Sequence, residues 1–236
     1  MKAKPLPKFY QYAVCPFCCK VKTLLAYKKI PYETIEVHPL NKKEIRFSKD
    51  YKKVPILVDT DGTQVNDSTP IMRYLDNHYG TSKVFAMTPA AREDEDTWLK
   101  WADEILVRAL PPLIYRNFSE ALKAFDYITK EGKFSWWQQR TIKYSGALVM
   151  TMVAKKSAKS QGISKPQKHL EECLDHWAQA LGNKDYLGGS QPNGADLAVY
   201  GILRSIEEMP AFRMIQNHTV VYDWYQRVEG AASLAA

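Results

Sequence analysis

The feature that most constrains the fold of this chain is a pair of cysteines placed where a strand-like segment meets a helical one. Residues 8–12 read as a strand, the motif CPFC occupies residues 15–18, and residues 16–29 carry apolar side chains at helical spacing. A cysteine at such a junction lies at the positive end of the helix dipole, among backbone N–H groups without partners. We therefore expect a lowered pKa for Cys15, with Cys18 close enough to resolve a mixed disulfide.

The cysteine pair could also serve a metal site or a structural role. Four cysteines in 236 residues are too few for a disulfide scaffold, which favours a reducing compartment, where such motifs are catalytic or metal-binding. Zinc needs about four ligands, and His169 and Cys173, which are four residues apart, lie in a distant helix and are weak evidence for a metal site. A reactive thiol is the favoured interpretation, no metal is expected, and Cys19 is expected to be structural.

The first eighty residues alternate strand and helix signals. The predicted elements are a strand at 8–12, a helix at 16–29, a strand at Tyr32–Val37, a short capped helix at Asn41–Phe47, two strands in VPILVD and TQVN, and a helix at Ser68–Tyr79. Asp61-Gly62 separates the last two strands and is a strong hairpin signal. This βαβαββα order predicts a thioredoxin/glutaredoxin-like α/β domain with a mixed sheet over residues 1–80.

Strand signals disappear after this first domain. We predict a linker at 81–97 and an all-helical domain at 98–236. Its helices are expected at Trp98–Leu110, Glu120–Glu131, Trp136–Val153, Gln167–Gly182 and Gly194–Glu208, with a short one near Val221–Val228. In this domain Asn193 and Asp196 have the spacing of a helix-capping box, so Asp196 is interpreted as structural. The fold class is therefore α/β followed by all-α, and a helical domain behind a thioredoxin-like one is a specific two-domain combination.

Two further motifs predict a ligand beside Cys15. In this fold Pro55 is expected to follow a cis bond, which would turn the backbone of Val54 towards the reactive sulfur, where an extended peptide could pair with it. Asp67 or Ser68 can cap the next helix, whose N-terminus binds anions, while Asp67 can take an amine. Ordinary edge-strand and capping roles are the alternatives. A thiol site, a peptide site and an amino-acid site in this order predict glutathione.

Aromatic side chains and charge indicate what else could bind. Tyr12 and Phe17 flank the reactive cysteine and either could line an apolar pocket, with core packing as the alternative. Residues 1–80 hold 14 Lys and Arg against 8 Asp and Glu, which would attract an anionic ligand unless the lysines are merely solvated. No nucleic-acid motif is present. We expect an apolar, possibly anionic, small molecule as partner.

No segment reaches the length of a membrane-spanning helix. The longest apolar run, at 146–154, is expected to form a buried helix, and no signal-peptide core is found. These features predict a soluble, cytoplasmic chain, with membrane contact only where an anchor lies upstream.

Several long segments resemble one known family. The stretch from YQYAVCPFC to VPILV together with NDSTPI, and the helical segments WADEILVRALPPLIYRN, EALKAFDYITKEGKF and YLGGSQPNGADLAVYGILR, are similar to the membrane-associated prostaglandin E synthase type 2 family. The similarity runs from Phe9 to about Glu229. CPFC and VPIL by themselves would indicate only a glutaredoxin or a glutathione transferase, so the helical segments narrow the assignment.

The resemblance implies a glutathione-transferase-like homodimer that isomerises prostaglandin H2 to prostaglandin E2. It assigns Cys15 as the catalytic thiol with Tyr12 and Phe17 beside it, and Val54, Asp67 and Ser68 as glutathione ligands. Family members can be anchored at the Golgi membrane by an upstream segment. The family also includes a haem-bound form. Some members carry a histidine near the position where this chain has Arg108, so haem binding is a weaker expectation for this chain than glutathione binding.

Two other functions remain open at this point. CPFC suits a glutaredoxin-like thiol-disulfide oxidoreductase equally well, and a non-catalytic glutathione-binding scaffold is the third alternative. The role of Cys18 distinguishes the isomerase or transferase from the oxidoreductase. An isomerase or transferase needs only Cys15, whereas disulfide exchange needs both sulfurs.

Overall fold

The computed structural model describes residues 5–131, 136–160 and 162–232, and the side chains of 127–131 and 138 lie outside the description. Four strands are present: β1 (Lys8–Gln11), β2 (Glu33–Glu36), β3 (Ile56–Val58) and β4 (Gln64–Asn66). The helices of the first domain are α1 (Pro16–Tyr27) and α2 (Ser68–His78). Those that follow are α3 (Pro89–Trp101), α4 (Val107–Ala109), α5 (Pro111–Ile114), α6 (Phe118–Glu131), α7 (Trp136–Ser160), α8 (Pro166–Leu181), α9 (Gly194–Arg204), α10 (Arg213–Gln216) and α11 (Thr219–Ala232).

The strands form one mixed sheet, as predicted, and their order in the sheet is β2-β1-β3-β4. β1 and β2 are parallel, while β1 and β3, and β3 and β4, are antiparallel. The β3–β4 hairpin turns at Gly62, whose φ of 90° suits a residue without a side chain. α1 and α2 pack together against this small sheet, and their apolar faces and the inner faces of β1 and β3 form its core.

The short capped helix predicted at Asn41–Phe47 forms only in part, and the Asn41 side chain accepts a hydrogen bond from the N–H of Lys43 at 3.1 Å. Only a single 3₁₀ turn, Lys43–Ile45, is present there. Lys42 has a φ of 47°, in the left-handed region, which no α-helix can include. The Glu44 carboxylate accepts a hydrogen bond from the N–H of His38 rather than from Asn41, so the capping box does not form.

The helical region begins earlier than the sequence indicated. α3 begins at Pro89 rather than at Trp98, because Pro89 provides a favourable first helical residue after Thr88. A π-helical turn, Ala102–Leu106, then joins α3 to α4. The domain limits 1–80 and 98–236 remain predictions. The connection between α2 and α3 spans residues 79–88, whereas the predicted linker spans 81–97.

α7 is also longer than predicted, and it is not buried. Leu148, Met152 and Val153 expose large parts of their side chains, whereas Ala147 and Ala154 face inwards. The prediction of a buried helix at 146–154 is therefore wrong, because only one side of α7 packs against the rest of the fold. None of the helices in the described parts of the chain is long and apolar enough to cross a membrane.

α9 holds the two domains together by packing closely on α1. Gly201 lets the two backbones approach, since a Cβ built there would lie 2.7 Å from the Lys20 backbone. The start of α9 has the predicted capping box between Asn193 and Asp196. The buried Asp196 carboxylate also accepts hydrogen bonds from the N–H of Leu187 and the indole N–H of Trp224, so it secures several chain segments at once.

Candidate active site

Cys15 stands at the N-terminal end of α1, as the sequence predicted. It is the residue preceding the helix, and Pro16 occupies the first helical position. The pKa of its thiol is lowered chiefly by a hydrogen bond from the Cys18 side chain, and further by the backbone N–H groups of Cys18 and Phe17 and by the charge of Lys22, against the opposing effect of burial. The predicted position of Cys15 before α1 and the predicted lowering of its pKa are thus both found.

The two other sulfurs of the motif differ from Cys15. Burial, followed by the hydrogen bond and charge of Cys15, raises the pKa of Cys18 well above its ordinary value, so Cys18 is a thiol that donates to its neighbour. Burial also raises the pKa of Cys19, whose Sγ lies 3.8 Å from the carbonyl oxygen of Ala13. None of the four cysteines is in a disulfide.

Sheet register brings the predicted peptide site to the same end of the sheet as Cys15. Tyr10 pairs with Ile56, and Ile56 in turn pairs with Asn66. The residues that precede β3 and the residues that follow β4 therefore flank the loop that leads from β1 to Cys15. The Val54–Pro55 peptide bond is cis, as predicted, and the N–H of Asp67 donates to the carbonyl oxygen of Pro55 at 3.2 Å.

The N-terminus of α2 has the properties of an anion site. The Asp67 carboxylate accepts from the N–H of Ser68 at 2.6 Å, with Asp67 held at a φ of 71°. Non-glycine residues in such conformations cost about 1–3 kcal/mol and concentrate at binding sites. The Ser68 hydroxyl is buried and has no hydrogen-bond partner within the part of the chain that the structure describes. A ligand carboxylate would satisfy it and the free helix N–H groups.

A buried ion pair supports this helix start from the second domain. Lys20 is completely buried, and its ammonium donates to Asp103 at 2.5 Å and to the Thr69 hydroxyl at 3.0 Å. Asp103 lies in the π-helical turn and also accepts from Thr69 at 3.3 Å. Both domains therefore contribute to the environment of the predicted amino-acid site.

A cleft of about 410 Å³ opens over Cys15 between the two domains. Its walls are mostly apolar and come from the loop around Cys15, from the segment after β2, and from α6 and α7. The lining residues are Tyr12, Val14, Cys15, Pro16, Glu36, Pro39, Leu40, Tyr115, Phe125, Ile142, Ser145, Gly146, Val149 and Met150. This volume suits a small apolar molecule.

Few polar groups face this cleft. Burial first, and then the charge of Cys15, raises the pKa of Tyr12 to about 12, so its hydroxyl is a neutral donor. The Glu36 carboxylate accepts from the N–H of Ala13 at 2.8 Å and from the Gln11 side chain at 3.2 Å. Burial raises the pKa of Glu36, which makes it a better proton acceptor than an exposed carboxylate.

The geometry places the predicted site residues in two groups. Tyr12 and Cys15 line the cleft, whereas Val54, Asp67 and Ser68 lie at the adjoining end of the sheet. Phe17 is half-buried against the core and is not among the residues that line the cleft. Within the described residues, no group of three His, Cys, Asp or Glu side chains is arranged to hold a metal ion.

Sequence reasoning missed Glu36, Tyr51 and Asp103. Burial first, and then the charges of Asp67, Cys18 and Cys15, raise the pKa of Tyr51, so the electrostatic environment of its hydroxyl includes both halves of the site. Glu36 could have been found as the strand residue opposite Gln11 in the parallel pair. Asp103 carried no local signal, because only domain packing brings it to α2.

Comparison with known proteins assigns the family. Residues 9–83 match the glutathione S-transferase N-terminal domain, and residues 141–231 match its C-terminal domain. Prostaglandin E synthase 2 of Danio rerio is 34% identical over 94% of this chain and 70% of its own length. The Mus musculus protein of that name is 35% identical over 94% of this chain and 69% of its own length.

This chain belongs to the prostaglandin E synthase 2 family. Its fold, a thioredoxin-like first domain followed by a helical domain, is that of the glutathione S-transferases. A solved glutathione S-transferase of Methylobacillus flagellatus, whose structure contains bound glutathione, superposes with a TM-score of 0.62 at 18% identity, covering 96% of this chain and 97% of the other. The prostaglandin E synthase 2 family thus shares its architecture with bacterial transferases of low sequence identity.

Proposed function

We propose that this prostaglandin E synthase 2 family member is a glutathione-binding, thiol-dependent enzyme that isomerises the endoperoxide prostaglandin H2 to prostaglandin E2. One observation carries the proposal: the thiolate-forming Cys15 lies at an apolar cleft with only a few polar groups around it. The names of the two animal relatives support the same reaction. Transferase chemistry on another apolar substrate would use the same cleft.

In this mechanism the Cys15 sulfur attacks one endoperoxide oxygen, and the oxygen–oxygen bond breaks. The second oxygen leaves as an alkoxide and takes a proton, for which the Tyr12 hydroxyl is the nearest candidate donor. A base then removes the hydrogen from the carbon that bears the attacked oxygen. The ketone forms as the sulfur–oxygen bond breaks, and the sulfur returns as a thiolate. The Glu36 carboxylate, with its raised pKa, is suited to be this base.

Glutathione fits the second half of the site. The buried Ser68 hydroxyl without a partner, and the N–H groups at the start of α2, suit the carboxylate of its γ-glutamyl end. Asp67 supplies negative charge for the amine, and Val54 offers its backbone to the peptide. Bound glutathione supplies a second thiol. The solved bacterial relative with glutathione bound supports this assignment.

Haem is not part of the proposal. The residues that line the cleft include no histidine. Arg108, at the position where some family members have one, carries a guanidinium group that does not ligate iron. The proposed enzyme is a cytoplasmic homodimer. Light scattering at micromolar protein concentration would test whether the chain forms a dimer.

Disulfide oxidoreductase activity is the second candidate. Cys18 lies in the first turn of the helix that follows Cys15, and its side chain is the chief cause of the lowered pKa of Cys15; disulfide exchange uses such a pair. In an exchange reaction the Cys15 thiolate attacks a mixed disulfide and Cys18 then releases the product by forming the Cys15–Cys18 bond. A scaffold without catalysis would bind glutathione and show neither reaction.

One pair of variants separates these functions. We expect Cys15→Ser to reduce conversion of prostaglandin H2 to the uncatalysed background, and Cys18→Ser to retain most of it, with product measured by chromatography. Cys173→Ser, which changes a buried cysteine in α8, is the control. Equal loss in the Cys15 and Cys18 variants, together with reduction of a glutathione mixed disulfide by the unmodified chain, would establish the oxidoreductase instead.

A further inference from the structure

A single carboxylate faces the cleft over Cys15. Among the described residues that line this cleft, Glu36 is the only one besides the Cys15 thiolate whose side chain is charged at neutral pH. The same described set includes no lysine, arginine or histidine. Its other polar side chains are the hydroxyls of Tyr12, Tyr115 and Ser145. In a mostly apolar site, a few fixed polar groups decide which ligands are accepted.

Hydrogen bonds hold the Glu36 carboxylate on the loop that leads to Cys15. Glu36 ends β2 and pairs in register with Gln11, the last residue of β1. Its two oxygens accept from the N–H of Ala13 at 2.8 Å and from the Gln11 side chain at 3.2 Å. The charge of Lys22 also acts on Glu36, but the Lys22 ammonium donates to the carbonyl oxygen of Ala13 at 2.5 Å. The negative charge is therefore fixed at the same cleft as the reactive sulfur.

This arrangement opposes the entry of an anion. A ligand carboxylate inside the cleft would lose its water, find no cation among the described lining residues, and face the charges of Glu36 and Cys15. A neutral apolar group has none of these costs. The hydroxyls of Tyr12 and Tyr115, each with a pKa raised first by burial to about 12, stay protonated and can donate to a neutral oxygen. We propose that Glu36 makes the cleft selective for uncharged groups, so that any anionic group of a substrate stays outside it.

Charge selection narrows the class of substrate. The group that reacts at Cys15 is then a neutral apolar electrophile, and a charge elsewhere in the molecule lies far from the reacting atoms. Prostaglandin H2 fits this rule only with its endoperoxide ring inside the cleft and its carboxylate chain directed towards solvent. An ester of the same molecule, which carries no charge, should be preferred to the acid. This step rests on the proposed function, whereas the charge selection itself does not.

Two alkylating probes of similar size test the charge selection. Iodoacetamide is neutral and iodoacetate is an anion, and with either probe the Cys15 thiolate displaces iodide and forms a sulfur–carbon bond. Because both probes need the same thiolate, the ratio of their rates does not depend on the pKa of Cys15. We expect Glu36→Gln to lower the ratio of the iodoacetamide rate to the iodoacetate rate about fivefold, through loss of one nearby charge. Mass spectrometry would measure both rates at Cys15.

Glu33→Gln is the matched control, because it neutralises an exposed carboxylate of the same strand that does not line the cleft. It should leave the ratio of rates unchanged, and circular dichroism would verify that both variants are folded. An unchanged ratio in Glu36→Gln, or an equal change in both variants, would overturn the proposal.

Turnover gives a second test. We expect the unmodified chain to convert the methyl ester of prostaglandin H2 with a higher kcat/KM than the acid, and this preference to decrease in Glu36→Gln. Taking the ratio of ester to acid removes the effect of losing Glu36 as a base, because that loss slows both substrates. A preference for the acid in the unmodified chain would overturn the proposal. Conversion of neither substrate would contradict the proposed function instead, and the alkylation ratio, which needs no turnover, would still decide the charge selection.

Discussion

At the scale of single residues, Cys15 and Cys18 have opposite protonation preferences for a shared reason. The hydrogen bond between them stabilises the thiolate at Cys15 and keeps the proton on Cys18. Cys15 is also next to the backbone N–H groups that begin α1, whereas Cys18 is fully buried within the helix. The sulfur that can reach a ligand is thus the one whose anion is stabilised.

The first prediction concerns this hydrogen bond. Cys18→Ser keeps a donor and should leave the pH midpoint of Cys15 alkylation by iodoacetamide nearly unchanged. Cys18→Ala removes the donor and should raise that midpoint by about one pH unit, since hydrogen bonds to charged groups are worth about 1.5–3 kcal/mol. Mass spectrometry would report modification at Cys15 itself. An unchanged midpoint in Cys18→Ala would mean that the helix N–H groups alone lower the pKa.

The second prediction concerns Ser68. Its buried hydroxyl has no partner among the described residues, so we expect Ser68→Ala to weaken glutathione binding about tenfold or more in calorimetry. Ser82→Ala removes an exposed hydroxyl from the connection between α2 and α3 and is the control. Equal affinity in Ser68→Ala and the unmodified chain would place the γ-glutamyl group elsewhere.

At the scale of elements, the contact between α1 and α9 depends on one missing side chain. Gly201 faces the α1 backbone at Cys19 and Lys20, where a Cβ would come within 3 Å of main-chain atoms. Backbone cannot move aside as a side-chain tip can. The position of α1 relative to α9 matters for function because α1 begins at Cys15.

Gly201→Ala and Gly230→Ala give the third prediction. Both glycines lie in helices, but a Cβ at Gly230 would meet nothing within 4 Å. We expect Gly201→Ala to lower the free energy of unfolding by about 1–3 kcal/mol through overpacking. Gly230→Ala should raise it by about 0.5–1 kcal/mol through helix propensity. Urea denaturation measures both, and the same sign in the two variants would contradict the close approach.

At the scale of the whole molecule, the two domains share one core and one buried ion pair. Apolar residues of both belong to a single continuous cluster. Across it, Lys20 of α1 meets Asp103 of the second domain. Burial lowers the pKa of Lys20, while Asp103 opposes that effect. We therefore expect the domains to unfold in one cooperative transition.

The fourth prediction addresses this pair. Asp103→Ala leaves the Lys20 ammonium buried without its carboxylate and should cost about 3 kcal/mol of unfolding free energy. Lys20→Met/Asp103→Ala removes both charges and should recover most of that loss, which a double-mutant cycle in urea with the single variants Lys20→Met and Asp103→Ala would show. Glu104→Ala, at the exposed neighbouring position, is the control. A loss in the double variant equal to the sum of the two single losses would show that the charges do not interact.

Much of the first domain could be predicted because its signals are local. The strand–cysteine–helix junction, the Asp61-Gly62 turn and the proline after Val54 each restrict a few neighbouring residues, and the observed sheet contains all three. The capping box at Asn193 is local in the same way. Where the local signal competed with backbone conformation, as at Lys42, the predicted helix formed only in part.

The sequence by itself thus determined the fold class and the family, and it predicted Cys15 as the reactive thiol. Only the tertiary structure decided that Glu36 and Tyr12 line the same cleft, that Asp103 reaches α2, and that part of α7 stays exposed. These outcomes depend on strand register and on domain packing, which join residues far apart in the chain. The sequence pattern of an apolar segment such as 146–154 is the same whether other elements cover the segment or not. Its burial is therefore decided by the assembled fold.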